Sequence, residues 1–240
     1  GLTEAEVSGA LLCLDVTERV VDEAITKGCN LIVAHHPLIF RKLSQVTDAN
    51  YVQRTVIKAI KNDIVIVAMH TNLDAAFGGV NFKIAERLGL RDVRFFGREK
   101  VVTNPLTDKK VTGGDGVIGC FDTPLAADDL ILLLKKEFDV ECVQANELLR
   151  REIQTVALCG GSGSFLLQDA INAGADAFIT GEMGYHEFFG HEQEIQLCVI
   201  GHYQSEQYTT EVLSDVIERD CPGVKCCISE INTNPIVYFS

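Results

Sequence analysis

No apolar run in this chain approaches the roughly 18 to 20 residues that a membrane-spanning helix needs, so no such helix is read from it. Positive charge is also scarce: 21 Lys and Arg stand against 34 Asp and Glu, a formal net charge of −13. A surface that grips phosphate backbones needs clustered cations, and this balance argues against nucleic acid as a main partner. Gly1 opens into polar residues with no basic segment leading into an apolar one. No secretory signal is read there, and a cytoplasmic protein without membrane attachment is expected. Nine cysteines are present but no CxxC pair. Their scatter through apolar stretches such as "ALLCL" and "VALCG" suits reduced, buried thiols better than disulfides or a zinc knot. Nucleotide and nucleophile signatures are missing too. "CGGSGSF" (159–165) is glycine-rich, yet it is neither GxGxxG nor a P-loop with its lysine, nor a GxSxG elbow.

What is present suffices for a real core: 240 residues, 47% hydrophobic, room for one large α/β domain or two small ones. The chain also repeats itself. "ALLCLDVTERVVDEAITKGCNLIVA" (10–34) aligns without gaps on "VALCGGSGSFLLQDAINAGADAFIT" (156–180), an offset of 146 from Ala10 to Val156. Each reads as strand, helix, glycine stop, strand. Further on, "VIVAMHTNLD" (65–74) matches "LCVIGHYQSE" (197–206), an offset of 132 from Val65 to Leu197. Both end in a buried strand followed by His-x-x-x-carboxylate. The spacing predicts a duplicated α/β protein with largely parallel sheets and sites at strand C-termini. Between the halves, the polar, Gly- and Pro-bearing stretch 97–116 reads as a loop or boundary. A strand is expected over 116–121, a helix from near Pro124, a helix over 205–218, and a last strand in "NPIVYF".

The histidines mark the site. "LIVAHHPLIF" (31–40) places two imidazoles directly behind a short apolar strand. His35, His36, Asp74, His202 and Glu206 all fall at equivalent strand ends. Three imidazoles and two carboxylates suit one or two divalent ions such as Zn, Fe, Mn or Ni. Two ions roughly 3.5 to 4 Å apart could share the set through a bridging carboxylate. Successive residues on a continuing strand face opposite ways, which keeps His35 and His36 from binding one ion; with a chain turn at Pro37 the two diverge toward two ions, or toward an ion and the groups around it. His70 reads as a supporting or pocket residue. Glu182 and His186, in "TGEMGYHE", share the strand-end address. Gly160, Gly161 and Ser162 could cradle an anion on backbone N–H groups.

These motifs resemble the Nif3-like family, dinuclear-metal proteins often labelled GTP cyclohydrolase 1 type 2 homologues. "LIVAHHPLIF", "MHTNLDAAFGGVN", "VALCGGSGSF", "AFITGEMGYHE", "GHYQSEQ" and "INTNPIVYF" carry the resemblance through nearly the whole chain. It implies two intertwined α/β halves, residues 1–100 with a C-terminal strand 231–240 and residues 101–230, with the metal site between them. It implies two divalent ions per chain, held by the five residues named above, and a homo-oligomer, a hexamer. The function implied is hydrolysis of a small nucleotide-like or phosphorylated molecule, with water attacking C8 of guanine if the cyclohydrolase label holds. His70 and His186 would move protons, and Glu182, Gly160, Gly161 and Ser162 would line the substrate pocket. The alternative is a non-catalytic metal protein acting as regulator, chaperone or scaffold.

Overall fold

The computed structural model describes residues 1–104 and 107–239. The first elements are β1 (Ala10–Cys13), α1 (Glu18–Lys27), β2 (Leu31–Ala34), α2 (Tyr51–Lys61), β3 (Val65–Ala68) and α3 (His70–Asp74). There follow α4 (Val80–Arg87), β4 (Arg91–Thr103), β5 (Lys110–Leu125), α5 (Ala127–Glu137), β6 (Gln144–Ala145) and β7 (Ile153–Cys159). The chain closes with α6 (Leu167–Asn172), β8 (Ala177–Thr180), β9 (Gln196–Val199), α7 (His202–Glu206), α8 (Thr209–Asp220) and β10 (Cys226–Ile228). Among the described residues no helix is long and apolar enough to cross a membrane.

Two compact units result. The first comprises Gly1–Leu73 with Thr209–Ser240, the second Asp74–Tyr208. The first holds a four-stranded sheet in the order β10-β1-β2-β3, parallel throughout. Its core gathers Leu11, Val20, Val21, Ala24 and Ile32, all fully buried, beside Ile64 and Ala59. The apolar positions of α1 fall on one face, and its ends are specified locally. Thr17 accepts from the Val20 N–H at the start, and Gly28 closes the helix at φ 69°, donating to Ala24 and Ile25.

The second unit is a six-stranded mixed sheet, β4-β5-β7-β8-β9-β6, with β7, β8 and β9 parallel and the remaining pairings antiparallel. Phe178, Leu197, Ala157 and Ala170 are fully buried in its core, with Phe96, Ile118 and Leu166 packed among them. Burial of each large apolar side chain there contributes about 1.5–3 kcal/mol.

The duplication is visible in the hydrogen-bond ladders. Ala10 pairs with Leu31 and Cys13 with Ala34. Val156 pairs with Ala177 and Cys159 with Thr180, the same register carried along by the 146-residue offset. Gly28 and Gly174 both take left-handed φ, 69° and 74°. One detail of the sequence alignment needs correction. Val65 sits opposite Leu31, and Gln196 opposite Ala177, so the structural mate of Val65 is Gln196, not Leu197. The helices α3 and α7 still correspond at the 132-residue offset, so the second half carries one additional residue between strand and helix. That interval ends on Gly201, at φ 95° and ψ 142°, a conformation open essentially to glycine alone.

Three further expectations are corrected. The stretch 97–116 is not a loop: most of it is the distal part of the β4–β5 hairpin, with Val101 opposite Thr112 and Val102 opposite Val111. Cross-strand β-branched pairs outweigh the turn-like composition; Pro105 and Leu106 of this stretch lie outside the described residues. The helix expected over 205–218 is broken into α7 and α8. At the break, Gln207 donates through Nε2 to the Phe138 carbonyl and the Tyr208 hydroxyl to that of Glu137. The closing strand is β10, not "NPIVYF". In that tail Asn232 and Asn234 accept from the N–H groups two residues ahead of each, and Pro235 has no N–H to give a ladder; Ser240 is outside the described residues.

The Gly201 geometry gives a stability prediction. Gly201→Ala should lower unfolding free energy by about 1–3 kcal/mol. Gly28→Ala, where a Cβ meets open space and only the left-handed backbone is strained, should cost less, about 1–2 kcal/mol. Urea melts of the two variants check the order, and a Gly201→Ala protein no less stable than Gly28→Ala would refute it.

Candidate functional site

In the first unit the regular ladder ends at His35: its N–H donates to Cys13, and the next N–H, that of His36, turns to the same neighbouring segment and donates to Leu14. With the alternation broken, the two rings do not part to opposite faces. Their centroids lie 4.7 Å apart, and each is 5.6 Å from the His70 ring at the start of α3. Three imidazoles therefore gather where β2 and β3 end. His35 is fully buried, and Phe40 stands edge-on to His70 at 6.0 Å. The Nδ1 of His36 lies 2.8 Å from Asp15 Oδ1, and the Thr233 hydroxyl donates to Asp15 Oδ2 at 2.7 Å.

Asp74 follows His70 by four residues on α3, one helical turn along the same face. In the second unit the matching helix α7 begins with His202 and ends with Glu206. Their Nε2 and Oε2 atoms are 3.2 Å apart, and Glu206 is 4% exposed. His202 Nδ1 lies 2.9 Å from Glu182 Oε1, while the Ser162 hydroxyl donates to Glu182 Oε2 at 2.5 Å. The hydrogen bond to Glu206, with the negative charges of Glu206 and Glu182, raises His202 above the usual imidazole range against the opposing effect of burial. Glu182 is held below the usual carboxylate range, chiefly by the Ser162 hydroxyl, with His202 adding to it and burial acting the other way.

The glycine-rich turn is a scaffold for these groups. A Cβ on Gly161 would come within 2.4 Å of Glu206 Oε1, so only glycine admits the carboxylate there. The N–H groups of Gly160, Gly161 and Gly163 donate to Asn81 Oδ1, Ser205 Oγ and Thr180 Oγ1. Asn81, 1% exposed, also donates to the backbone carbonyls of Asp74 and Asp115. It thus ties the end of α3 to the turn after β7. Cys159, just before the turn, donates its thiol to the Asp115 carbonyl at 3.1 Å. Burial, reinforced by Asp74, Glu206 and Asp115, pushes that thiol up to about 12.

His186 lies elsewhere in the second unit. It is exposed on the 3-10 turn Tyr185–Phe188, edge-on to Tyr185 and stacked near Phe189. Sequence reasoning missed Asp15, Thr233 and Asn81. Asp15 carried a usable signal, since it stands two residues past β1 at a strand end. Asn81 was inside the quoted motif "HTNLDAAFGGVN". Thr233 likewise lay inside the motif "INTNPIVYF", but nothing local pointed to its partner, 218 residues away.

Both units therefore place imidazoles and carboxylates just past their parallel strands, the donor types that hold first-row divalent ions. Comparison with known proteins finds relatives that span the chain. A Clostridium perfringens protein named GTP cyclohydrolase 1 type 2 homolog is 33% identical over 242 residues, covering 100% of this chain and 89% of the relative. NIF3-like protein 1 of Drosophila melanogaster is 29% identical over 243 residues, covering 98% of this chain and 78% of its own length. The crystal structure of a Staphylococcus aureus hypothetical protein, SA1388, matches with a TM-score of 0.87 at 28% identity, covering 100% of this chain and 90% of that one. The model of the Duf34/NIF3 (NGG1p interacting factor 3) family matches residues 1–235, and with this coverage the chain belongs to that family.

Proposed function

We propose that this protein is a dinuclear-metal-dependent hydrolase of a small nucleotide-like or phosphorylated molecule. GTP cyclohydrolase-type ring opening, suggested by the name its relatives carry, is the finer reading. The observation that carries it is the repeated helix after the third strand of each half, His70 with Asp74 and His202 with Glu206. A lone buried histidine is commonly structural, but histidine and acid recurring one turn apart at two equivalent strand ends need a shared reason.

The residues fit two divalent ions. His35, His36, Asp74, His202 and Glu206 would hold them. The imidazoles of His35, His36 and His202 and the buried Glu206 carboxylate favour Zn, Fe, Mn or Ni over the all-oxygen sites of Mg or Ca. Bound there, such ions supply Lewis acidity, polarising a substrate oxygen and acidifying water. The chain does the rest. The His70 ring, edge-on to both His35 and His36, takes or returns a proton at a ring nitrogen. Ser162 and Glu182 are exposed beside His202 and orient the substrate's polar groups, with Gly160 and Gly161 shaping the turn beneath. His186 is a second proton carrier, reaching the substrate from its surface turn. The same reading has the chain working in the cytoplasm as a closed homo-oligomer, a hexamer.

Elemental analysis tests the shared ligand set. Asp74→Ala and Glu206→Ala should each lose at least one divalent ion per chain, and Glu206→Ala should lose turnover with it. Full metal content in both variants would sink this reading. A metal-replete wild type that turns over neither GTP nor any phosphoester in a broad screen would instead favour the non-catalytic alternative.

The nucleophile is tested at Cys159. With its thiol pushed up to about 12, almost none is ionised near neutral pH, and a buried thiol of this kind is inert. Iodoacetamide on the native protein should label the exposed Cys142 and Cys221 and spare Cys159. Cys159→Ala should keep its metal and most of its turnover. A fully metallated but inactive Cys159→Ala would move the chemistry to the thiol.

A further inference from the structure

We infer that each unit contains a hydroxyl–carboxylate–imidazole relay, Thr233–Asp15–His36 in the first and Ser162–Glu182–His202 in the second, that locks its imidazole with the proton on Nδ1. Asp15 and Glu182 are thereby positioning residues for His36 and His202. The inference deepens the reading of those histidines as ligands and rests on it.

The chemistry of the donors sets the direction. An ionised carboxylate only accepts hydrogen bonds. Asp15 Oδ2 accepts from the Thr233 hydroxyl at 2.7 Å, and Oδ1 faces His36 Nδ1 at 2.8 Å, so Nδ1 carries the proton. In the second unit Glu182 Oε2 accepts from Ser162 at 2.5 Å and Oε1 faces His202 Nδ1 at 2.9 Å. In neutral His36 the lone pair then resides on Nε2, whereas His202 Nε2 also faces a carboxylate, Glu206 Oε2 at 3.2 Å, so its lone pair is freed only when Glu206 is removed or a cation displaces that proton. A carboxylate on the far nitrogen fixes both ring orientation and basicity. The hydroxyl behind it fixes the carboxylate in turn.

Inheritance from the duplication does not account for the pair. At the 146-residue offset Asp15 corresponds to Gly161, and His36 corresponds to Glu182. In the first unit the imidazole follows the second strand and the acid follows the first. In the second unit the acid stands where His36 stood, and the imidazole has moved to the end of β9. The hydroxyl comes from the C-terminal segment in one case and from the glycine turn in the other. The turn is itself anchored to its neighbour: the Glu182 N–H donates to the Gly161 carbonyl at 2.9 Å, and so does the Thr180 hydroxyl. One arrangement of three functional groups has been assembled twice from non-equivalent positions. A shared demand on the two imidazoles explains that, whereas common descent does not.

The test reads tautomers directly, without turnover. Metal-free Glu206→Ala protein carrying 15N-histidine, at alkaline pH where both rings are neutral and no carboxylate faces His202 Nε2, should show His36 and His202 protonated at Nδ1 in long-range 15N–1H spectra. Asp15→Asn and Glu182→Gln should shift their own histidine toward the Nε2-protonated form and leave the other unchanged. Each should weaken Zn2+ binding, measured against a competing chelator, by about 10–100-fold. Thr233→Ala and Ser162→Ala should weaken it less, and Thr233→Ser should restore it. A neutral ring protonated at Nε2 at either position in that protein overturns the inference, as would unchanged Zn2+ affinity in both carboxylate variants. Nδ1 protonation at both rings, together with a wild type that binds no Zn2+, would support the relays while removing the ligand reading of the proposed function.

Discussion

Parallel strand pairing is the constraint on which this molecule depends. Where β1 runs beside β2 and β7 beside β8 in the same direction, their C-terminal ends open on one edge of their sheet. Each strand must then hand the chain to a turn or helix at that edge, where backbone groups are no longer committed to the ladder. The side chains that leave there converge whatever their separation in sequence. Asp15, His36 and His70 follow β1, β2 and β3; Gly161, Glu182 and His202 follow β7, β8 and β9. The chemistry of both units is a consequence of this one geometric rule.

Polar groups drawn into such an edge have to be satisfied, because an unpaired buried donor or acceptor costs about 1–3 kcal/mol. Asn81 shows the solution: its amide donates to two carbonyls and its oxygen accepts from Gly160. The fully buried Gln196 works similarly in β9, donating to Asn146 and accepting from the Leu149 N–H. These networks hold turns rigid that would otherwise flex. A rigid turn keeps Ser162 against Glu182, and Glu182 against His202. Precision at the site therefore comes from buried amides a shell away from it.

The misreadings have particular causes. The stretch 97–116 looked like a loop because Gly, Pro, Lys and Asp dominate it. Its alternating Val and Thr residues find cross-strand partners only after the hairpin closes. "NPIVYF" looked like a strand by composition, yet its asparagines bond locally and its proline lacks a donor. The broken helix before Thr209 was invisible because the break depends on Gln207 and Tyr208 reaching the distant end of α5. By contrast, the duplication, the strand-end address of the histidines and the helix pair α3 and α7 were legible, since they are written in local periodicity and spacing.

Short-range physics accounts for that division. Strand and helix identity, the glycine stop after α1, and the i, i+4 pairing of His202 with Glu206 follow from residues within a turn or two of one another. A reader of the bare chain can recover them. The partners of the imidazoles are another matter. Asp15 meets Thr233 across 218 residues, Gly160 meets Asn81 across 79, and Ser162 and His202 each meet Glu182 across 20. No local pattern encodes such pairs. They exist only once parallel ladders have brought separate strand ends to a common edge, and that closure put Asp15 against Nδ1 of His36 and Glu182 against Nδ1 of His202.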